Sequence, residues 1–154
     1  MKTPNIDKLA NEGMKFEKAY TTQPVCGPAR SAIFTGQYPH SNGVYSNSMA
    51  PNELVKTIGQ RMKDNNFETS YIGKWHLDGG DYFGFGECPD GWDENYWYDM
   101  RCYLEELSIE DRKRSRKPDT VYDEGFNEEF TYAHRVTDRA IDCLKNYEKD
   151  DLFM

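Results

Sequence analysis

The chain has 154 residues, and its 19 Lys and Arg against 27 Asp and Glu give a formal net charge of −8. This length is that of about one domain, and the acidic balance argues against a duplex-DNA-binding protein, which needs a basic face. No apolar run is long enough to span a membrane. The amino-terminal segment has no apolar region typical of a signal peptide, which slightly favours a cytoplasmic location.

The apolar content is low for a folded protein. Leu, Ile, Val and Phe together make up 26 residues, a share close to that of disordered chains, but the 22 aromatic residues favour a folded chain. The four cysteines, at 26, 88, 102 and 143, form no C-x-x-C pair. Their spacing therefore predicts neither a zinc site nor a dense disulfide framework.

Three helices are predicted in the first half of the chain. The first is capped by Thr3, has Pro4 at its first position and ends at Gly13. A short helix is predicted to run from Pro28 to about residue 35. A third helix is predicted to start at residues 52–53, with apolar residues at helical spacing: Leu54, Val55, Ile58 and Met62.

The middle of the chain is predicted to hold less regular structure. A short strand is expected at 69–72, followed by a long loop over 73–98 that is rich in Gly, Asp and aromatic residues. A helix is expected over 99–107, and a charged, solvated connector over 110–120. The aromatic residues of the loop are expected to form a small core under it rather than a platform for a sugar: Trp92, Tyr96, Trp97 and Tyr98.

The longest predicted helix covers residues 127–147. Its apolar stripe is expected to be buried: Phe130, Ala133, Val136, Ala140, Ile141, Leu144 and Tyr147. A polar turn at 149–151 then leads into Leu152-Phe153-Met154, which begins like a buried strand. Alternating helices and strands predict an α/β fold with a mostly parallel sheet. Since two such strands cannot complete a sheet, the chain is expected to be a portion of a domain cut at both ends.

The segment with the most chemistry is Cys26-Gly27-Pro28-Ala29-Arg30. Pro28 fixes φ for a first helical turn and biases Gly27 towards extended geometry, so Cys26 is expected just before a helix amino terminus, where N–H groups favour an anion. Arg30 can hold an oxyanion or orient a group made from Cys26. The alternative for a lone cysteine is an inert buried thiol.

Three segments in order resemble the signatures of one family. The stretch 24–40 holds C-x-P-x-R followed by T-G-x-Y-P-H, the stretch 71–77 reads Y-I-G-K-W-H-L, and 3–13 is similar to the family's first helix. Together they resemble the formylglycine-dependent sulfatases of the alkaline phosphatase superfamily. The resemblance implies an incomplete sandwich with helices on both faces of the sheet, and it identifies residues 1–154 as the amino-terminal portion of a sulfatase catalytic domain.

The resemblance also implies roles for four residues. Cys26 would be oxidised to formylglycine by a formylglycine-generating maturation enzyme, Arg30 would hold the formylglycine, and Lys74 and His76 would contact the sulfate ester. The residues support the last point independently, because i and i+2 of an extended segment point to the same side. Lys74 and His76 are then expected to project together, with Trp75 on the opposite side.

The implied reaction is hydrolysis of a sulfate ester, of a sulfated sugar or of an aryl or alkyl compound. Hydrated formylglycine attacks sulfur, and positive charge stabilises the oxyanion. The implied cofactor is a divalent metal, usually calcium, with Cys26 as formylglycine among its ligands and the remaining ligands absent from this chain. The chain alone is therefore expected to be inactive, and its expected partners include neither nucleic acid nor membrane.

Two alternatives remain open at this stage. Relatives in the same superfamily use the same C-x-P-x-R cysteine on phosphoesters or phosphonates, and sulfate and phosphate are similar anions. The chain can also be a non-catalytic sulfatase fragment. His40 and His134 are expected to be structural, and Asp78 and Asp81 to belong to a solvated loop.

Overall fold

The computed structural model describes residues 2–115, 127–148 and 151–154. These residues form helices and short strands, with a 3₁₀ turn at Glu94–Tyr96 and another at Glu128–Phe130. The helices are α1 (Pro4–Glu12), α2 (Cys26–Thr35), α3 (Pro39–Asn42), α4 (Ile58–Asp64), α5 (Met100–Glu106), α6 (Ile109–Arg114) and α7 (Tyr132–Asn146). The strands are β1 (Glu68–Thr69), β2 (Tyr71–Ile72), β3 (Trp97–Tyr98) and β4 (Leu152–Phe153).

The strands form two parallel pairs. β1 pairs with β4, with Glu68 opposite Leu152, and β2 pairs with β3, with Tyr71 opposite Trp97. Ser70 separates β1 from β2, so consecutive residues of one extended segment serve two different partners. Parallel strand pairs together with helices confirm the α/β class, and the strand expected at 152 is present.

Two hydrophobic clusters form the core. The first surrounds Trp75, and its buried members are Val44, Trp75, Leu77 and Trp92, with Phe34, Tyr71, Trp97 and Phe153 packed against them. The second contains Tyr98, Tyr103, Leu104 and Leu107. The expectation that the loop aromatics form a core is confirmed most clearly by Trp92 and Tyr98, which are 3% and 4% exposed.

Two helices in the first half start at other residues than predicted. α2 begins at Cys26 rather than Pro28, so Gly27 is helical instead of extended. α4 begins at Ile58 rather than near residue 52, because Thr57 and Gln60 form a capping box. Leu54 lies before this cap and is 91% exposed, so it does not belong to the helix face assigned to it.

The region after residue 73 is more regular than predicted. The long loop contains β3 and a 3₁₀ turn capped by the Asp93 side chain. The helix expected at 99–107 is confirmed as α5, with Asp99 as its cap. The first part of the charged connector forms α6, because the Ser108 side chain accepts from the Asp111 N–H. Residues 116–120 of that connector and 149–150 of the later polar turn lie outside the described residues.

The last long helix is shorter than predicted, and its buried face differs. α7 begins at Tyr132, since Thr131 caps it by accepting from the His134 N–H. The predicted burial is wrong for Ala133, Ile141 and Leu144, all of which are exposed. The prediction is confirmed for Phe130 and Val136, which pack against the second cluster, and Cys143 is buried in addition. Ion pairs of Arg135 and Arg139 with Glu106 on α5 fix this rotation of α7.

Candidate active site

Cys26 occupies the first turn of α2. It is exposed, and the carbonyl of Val25, the residue before it, accepts the Ala29 N–H. Pro28 is buried at the third helical position, where it removes an N–H that has no partner within the helix. The thiol therefore sits in solvent at a helix amino terminus, where the backbone dipoles favour negative charge.

Asn47 fixes the backbone next to Cys26. Its side-chain Oδ1 accepts the Gly27 N–H at 2.9 Å. A Cβ on Gly27 would lie 3.3 Å from both Asn47 Oδ1 and the Ser46 carbonyl oxygen, so the close approach of this loop favours glycine. The sequence gives no local signal for this contact, because Asn47 lies twenty residues from Gly27.

Arg30 joins the two motif segments. Its Nη1 donates to the Lys74 carbonyl oxygen at 2.6 Å and to the Tyr71 hydroxyl at 3.3 Å. The Tyr71 hydroxyl in turn donates to the same Lys74 carbonyl. Burial raises the pKa of Tyr71 above its ordinary value even though the Arg30 cation lowers it, so this phenol is a neutral donor. α2 and the segment after β2 are thus held together by one guanidinium and one phenol.

In the segment 74–76, one side chain packs into the core and the other two lie against Tyr82. Trp75 is 4% exposed and packs edge-on against Phe34 and Tyr71, with ring centroids 5.1 Å apart in each case. Lys74 Nζ lies 3.5 Å above the Tyr82 ring. The His76 ring lies 5.8 Å from the same ring, between centroids. Lys74 and His76 therefore both lie against Tyr82, and Trp75 anchors the segment from the opposite side.

His76 is buried and strained. It is 5% exposed and has a φ of 59°, which is uncommon for a residue with a side chain. Its buried Nδ1 has no hydrogen-bond partner among the described residues. Burial, followed by the positive charges of Lys74 and Arg30, lowers its pKa below the ordinary value. The imidazole is therefore neutral at pH 7, and its Nδ1 is buried without a partner among the described residues.

The carboxylates after His76 build a turn. Asp78 accepts the Gly80 N–H at 2.9 Å and the Phe85 N–H at 2.7 Å, and Asp81 accepts the Phe83 N–H at 2.9 Å. This agrees with the expectation that these residues belong to a Gly- and Asp-rich loop. The other histidines have structural neighbours, since His40 stacks on Tyr38 and His134 pairs with Asp138.

The remaining cysteines differ from Cys26. Burial raises the pKa of Cys88 and of Cys102 to about 11, so both remain thiols at neutral pH. Cys143 is buried, with its Sγ 3.7 Å from Ser70 Oγ. All four are free, and Cys26 is the exposed one.

A calcium site does not fit the residues that the structure describes. Over 2–115, 127–148 and 151–154, no group of three or more His, Cys, Asp or Glu side chains lies close enough to hold a metal ion. Of the ligands that the resemblance implies, the described residues contain only Cys26. In the same ranges no helix combines the length and the apolar character needed to cross a membrane.

Comparisons with known proteins identify the same family along the whole chain. The sulfatase family model matches residues 1–154. The chain is 44% identical to the uncharacterised sulfatase YidJ of Escherichia coli K12 over 98% of its own length. It is 30% identical to an N-acetylglucosamine-6-O-sulfatase of Bacteroides thetaiotaomicron over 99% of its length. It spans 31% of the first relative and 25% of the second.

Solved structures share the fold. The structure of BT4656 in complex with its substrate D-glucosamine-2-N,6-O-disulfate matches with a TM-score of 0.66 and 29% identity, covering 99% of this chain and 28% of that one. A phosphonate monoester hydrolase of Agrobacterium radiobacter matches with a TM-score of 0.64 over 96% of this chain and 34% of its own, and at 17% identity this likeness shows the fold alone. The expected alkaline-phosphatase-superfamily fold is confirmed, and the chain belongs to the sulfatase family.

Proposed function

We propose that these residues form the amino-terminal portion of the catalytic domain of a sulfuric ester hydrolase. Here "the full-length protein" means a polypeptide that carries this chain together with the rest of such a domain. Its proposed substrate is the sulfate ester of a sugar. Support comes from the family match and from relatives named as sulfatases of amino sugars or solved with a sulfated glucosamine.

The observation that carries the proposal is the hydrogen bond from Arg30 to the Lys74 carbonyl. The two residues lie 44 positions apart, one in each of the two motif segments. Side chains from separate segments that converge on one region are typical of a binding or catalytic site. A helix amino terminus with an exposed cysteine, two cations and a neutral histidine together suit a tetrahedral anion.

Each of the four residues has a proposed role. Cys26, after oxidation to formylglycine by a maturation enzyme, acts as the nucleophile in its hydrated form. Arg30 holds the segment that carries Lys74 and adds positive charge next to the nucleophile. Lys74 binds a sulfate oxygen. His76 donates a hydrogen bond or proton to the leaving alcohol oxygen, which a neutral imidazole with one protonated nitrogen can do.

The local charge opposes that of the whole chain. The net charge of −8 repels an anionic ester, whereas Arg30 and Lys74 create a positive region in the site. Burial lowers the pKa of His76, so its imidazole adds no positive charge to this region at neutral pH. A calcium ion belongs to the proposal for the full-length protein, with formylglycine 26 among its ligands, and its other ligands are expected outside this chain.

The direct test compares two esters of one sugar with the purified full-length protein. Hydrolysis of a glucosamine 6-sulfate is expected to exceed that of the matching 6-phosphate in kcat/KM. The Lys74→Ala variant should lower kcat/KM, and Lys63→Ala, which changes an exposed lysine of α4, should not. A preference for the phosphate ester, or no hydrolysis of any sulfated sugar after verified conversion of Cys26, would contradict the proposal.

A further inference from the structure

A compact loop follows His76, and one carboxylate organises it. Asp78 accepts hydrogen bonds from the N–H groups of Gly80 and Phe85, so its two oxygens close both ends of the turn. Gly84 has a φ of +73°, and a Cβ there would lie 2.5 Å from Asp78 Oδ2. Only glycine fits at this point without displacing the carboxylate. The loop is therefore built to hold one conformation, with Tyr82 at its centre.

Tyr82 contacts both side chains that the proposed function assigns to the sulfate ester. Lys74 Nζ lies 3.5 Å from the ring centroid, and the His76 ring packs edge-on at 5.8 Å. The Phe83 ring supports Tyr82 from the side, with centroids 5.3 Å apart. Tyr82 is 52% exposed, so its ring lies at the surface of the site rather than in the core.

The Tyr82 ring also gives the Lys74 ammonium a partner that restricts its position. The carbonyl of Lys74 is fixed by Arg30 and Tyr71, but four rotatable bonds separate the backbone from the ammonium. No carboxylate of the described residues forms an ion pair with Nζ, and the Tyr82 ring is its partner there. An aromatic face attracts a cation at this distance and restricts it without neutralising its charge.

We propose that Tyr82 is a positioning residue, which holds the Lys74 ammonium over its ring so that the cation faces a bound sulfate next to His76. This inference rests on the proposed function, which assigns Lys74 to a sulfate oxygen. The contact between Tyr82 and Lys74 can be measured separately. The loop organised by Asp78 acts as the support that keeps the ring in place.

The first test is kinetic and uses the full-length protein. Tyr82→Leu, which keeps apolar bulk and removes the ring, is expected to lower kcat/KM for a sulfated glucosamine about fivefold to thirtyfold. Tyr82→Phe keeps the aromatic face and is expected to restore the rate to within about threefold of wild type. Phe85→Leu is the matched control, because Phe85 is an exposed aromatic of the same loop, and its rate should be unchanged.

The second test does not depend on activity. Competitive reductive methylation, read by mass spectrometry of the Lys74 peptide against the exposed Lys63, measures how accessible and basic the Lys74 amine is. Tyr82→Leu should speed labelling of Lys74 severalfold, and Tyr82→Phe and Phe85→Leu should leave it as in wild type. If Tyr82→Leu matches wild type in labelling, or if Tyr82→Phe is as slow in turnover as Tyr82→Leu, the inference is overturned. An inactive wild-type protein with the expected labelling pattern would instead refute the proposed function and leave the Tyr82–Lys74 contact established.

Discussion

Arg30 donates a hydrogen bond of 2.6 Å to the backbone carbonyl of Lys74. The contact fixes the first turn of α2, where Cys26 lies, relative to the segment that carries Lys74 and His76. Since the Tyr71 hydroxyl donates to the same carbonyl, both lone pairs of that oxygen are used. The relative position of the proposed nucleophile and the proposed sulfate-binding residues therefore depends on the Arg30 guanidinium together with the Tyr71 phenol.

Replacement of Arg30 is the first prediction. Arg30→Ala should lower sulfate-ester turnover of the full-length protein on the order of a hundredfold or more, and should cost about 1.5–3 kcal/mol of stability through the lost charged hydrogen bonds. Arg30→Lys keeps the charge but loses the planar donor group, so it should still be clearly impaired. Steady-state kinetics and urea unfolding measure the two effects, with Arg61→Lys on exposed α4 as the control. Wild-type turnover in Arg30→Ala would show that Arg30 has no role in the proposed active site.

The buried state of His76 predicts a pH dependence of stability. Its pKa is lower in the folded protein than in the unfolded chain, so the unfolded state binds the proton first as the pH falls through about 6.5. The stability linked to the neutral imidazole is thus complete above that pH and is lost below it. His76→Asn, which tolerates the left-handed φ, should reduce the loss of unfolding free energy between about pH 8 and about pH 5.5.

The matched control for this pH dependence is His40→Asn, which changes an exposed histidine. Its urea midpoints should follow those of wild type over the same pH range. Equal pH slopes for His76→Asn and wild type would contradict the assigned pKa direction. His76→Asn should also lower turnover, because the proposed donor to the leaving oxygen is lost.

Two replacements of Asn47 are expected to affect stability and substrate binding differently. Asn47→Ala removes the acceptor for the Gly27 N–H and is expected to cost about 1 kcal/mol in urea unfolding. Asn47→Asp keeps the acceptor and adds a negative charge near a helix amino terminus, so stability should be maintained or raised. The same charge should raise KM for an anionic ester. A variant Asn47→Asp with wild-type KM would show that this loop lies away from the bound substrate.

Trp75 should matter through packing. It is 4% exposed, and its ring contacts those of Phe34, Tyr71, Trp92 and Trp97. Trp75→Ala is expected to cost about 3–5 kcal/mol, and Trp75→Phe less, in the unfolding of the full-length protein. Because Trp75 anchors the segment between Lys74 and His76, turnover at low temperature should also fall. A loss of stability under about 1 kcal/mol for Trp75→Ala would show that the aromatic cluster is loosely packed.

Much of the fold could be predicted, and the failures have local causes. The α/β class followed from helix and strand alternation, and α5 from its cap at Asp99. The apolar spacing at Leu54 and Val55 predicts an earlier start for α4 than the Thr57–Gln60 capping box allows. The exposed face of α7 was missed because the Arg135 and Arg139 pairs with Glu106, which orient the helix, join residues 29 and 33 positions apart.

The sequence predicts only those residues of the candidate site that belong to a local motif. Cys26, Arg30, Lys74 and His76 came from local patterns, and Arg30 is found against the Lys74 backbone. No local pattern predicts Tyr82 or Asn47, since each contacts a residue of another segment. His76 is 5% exposed, and no local pattern in the sequence predicts this burial. The left-handed backbone at His76, in the segment after β2, has no signature in the local sequence.

Cys26 is the proposed nucleophile, and one experiment on the full-length protein tests this role. The protein is expressed together with a formylglycine-generating enzyme, and sulfate release from a sulfated glucosamine is measured for wild type, Cys26→Ala and the control Cys102→Ala. Cys102 is half-buried with a pKa of about 11, so its replacement should leave turnover largely intact. Cys26→Ala is expected to abolish turnover, and the wild-type Cys26 peptide is expected to have the mass of the aldehyde. Normal sulfate-ester hydrolysis by Cys26→Ala would contradict this role.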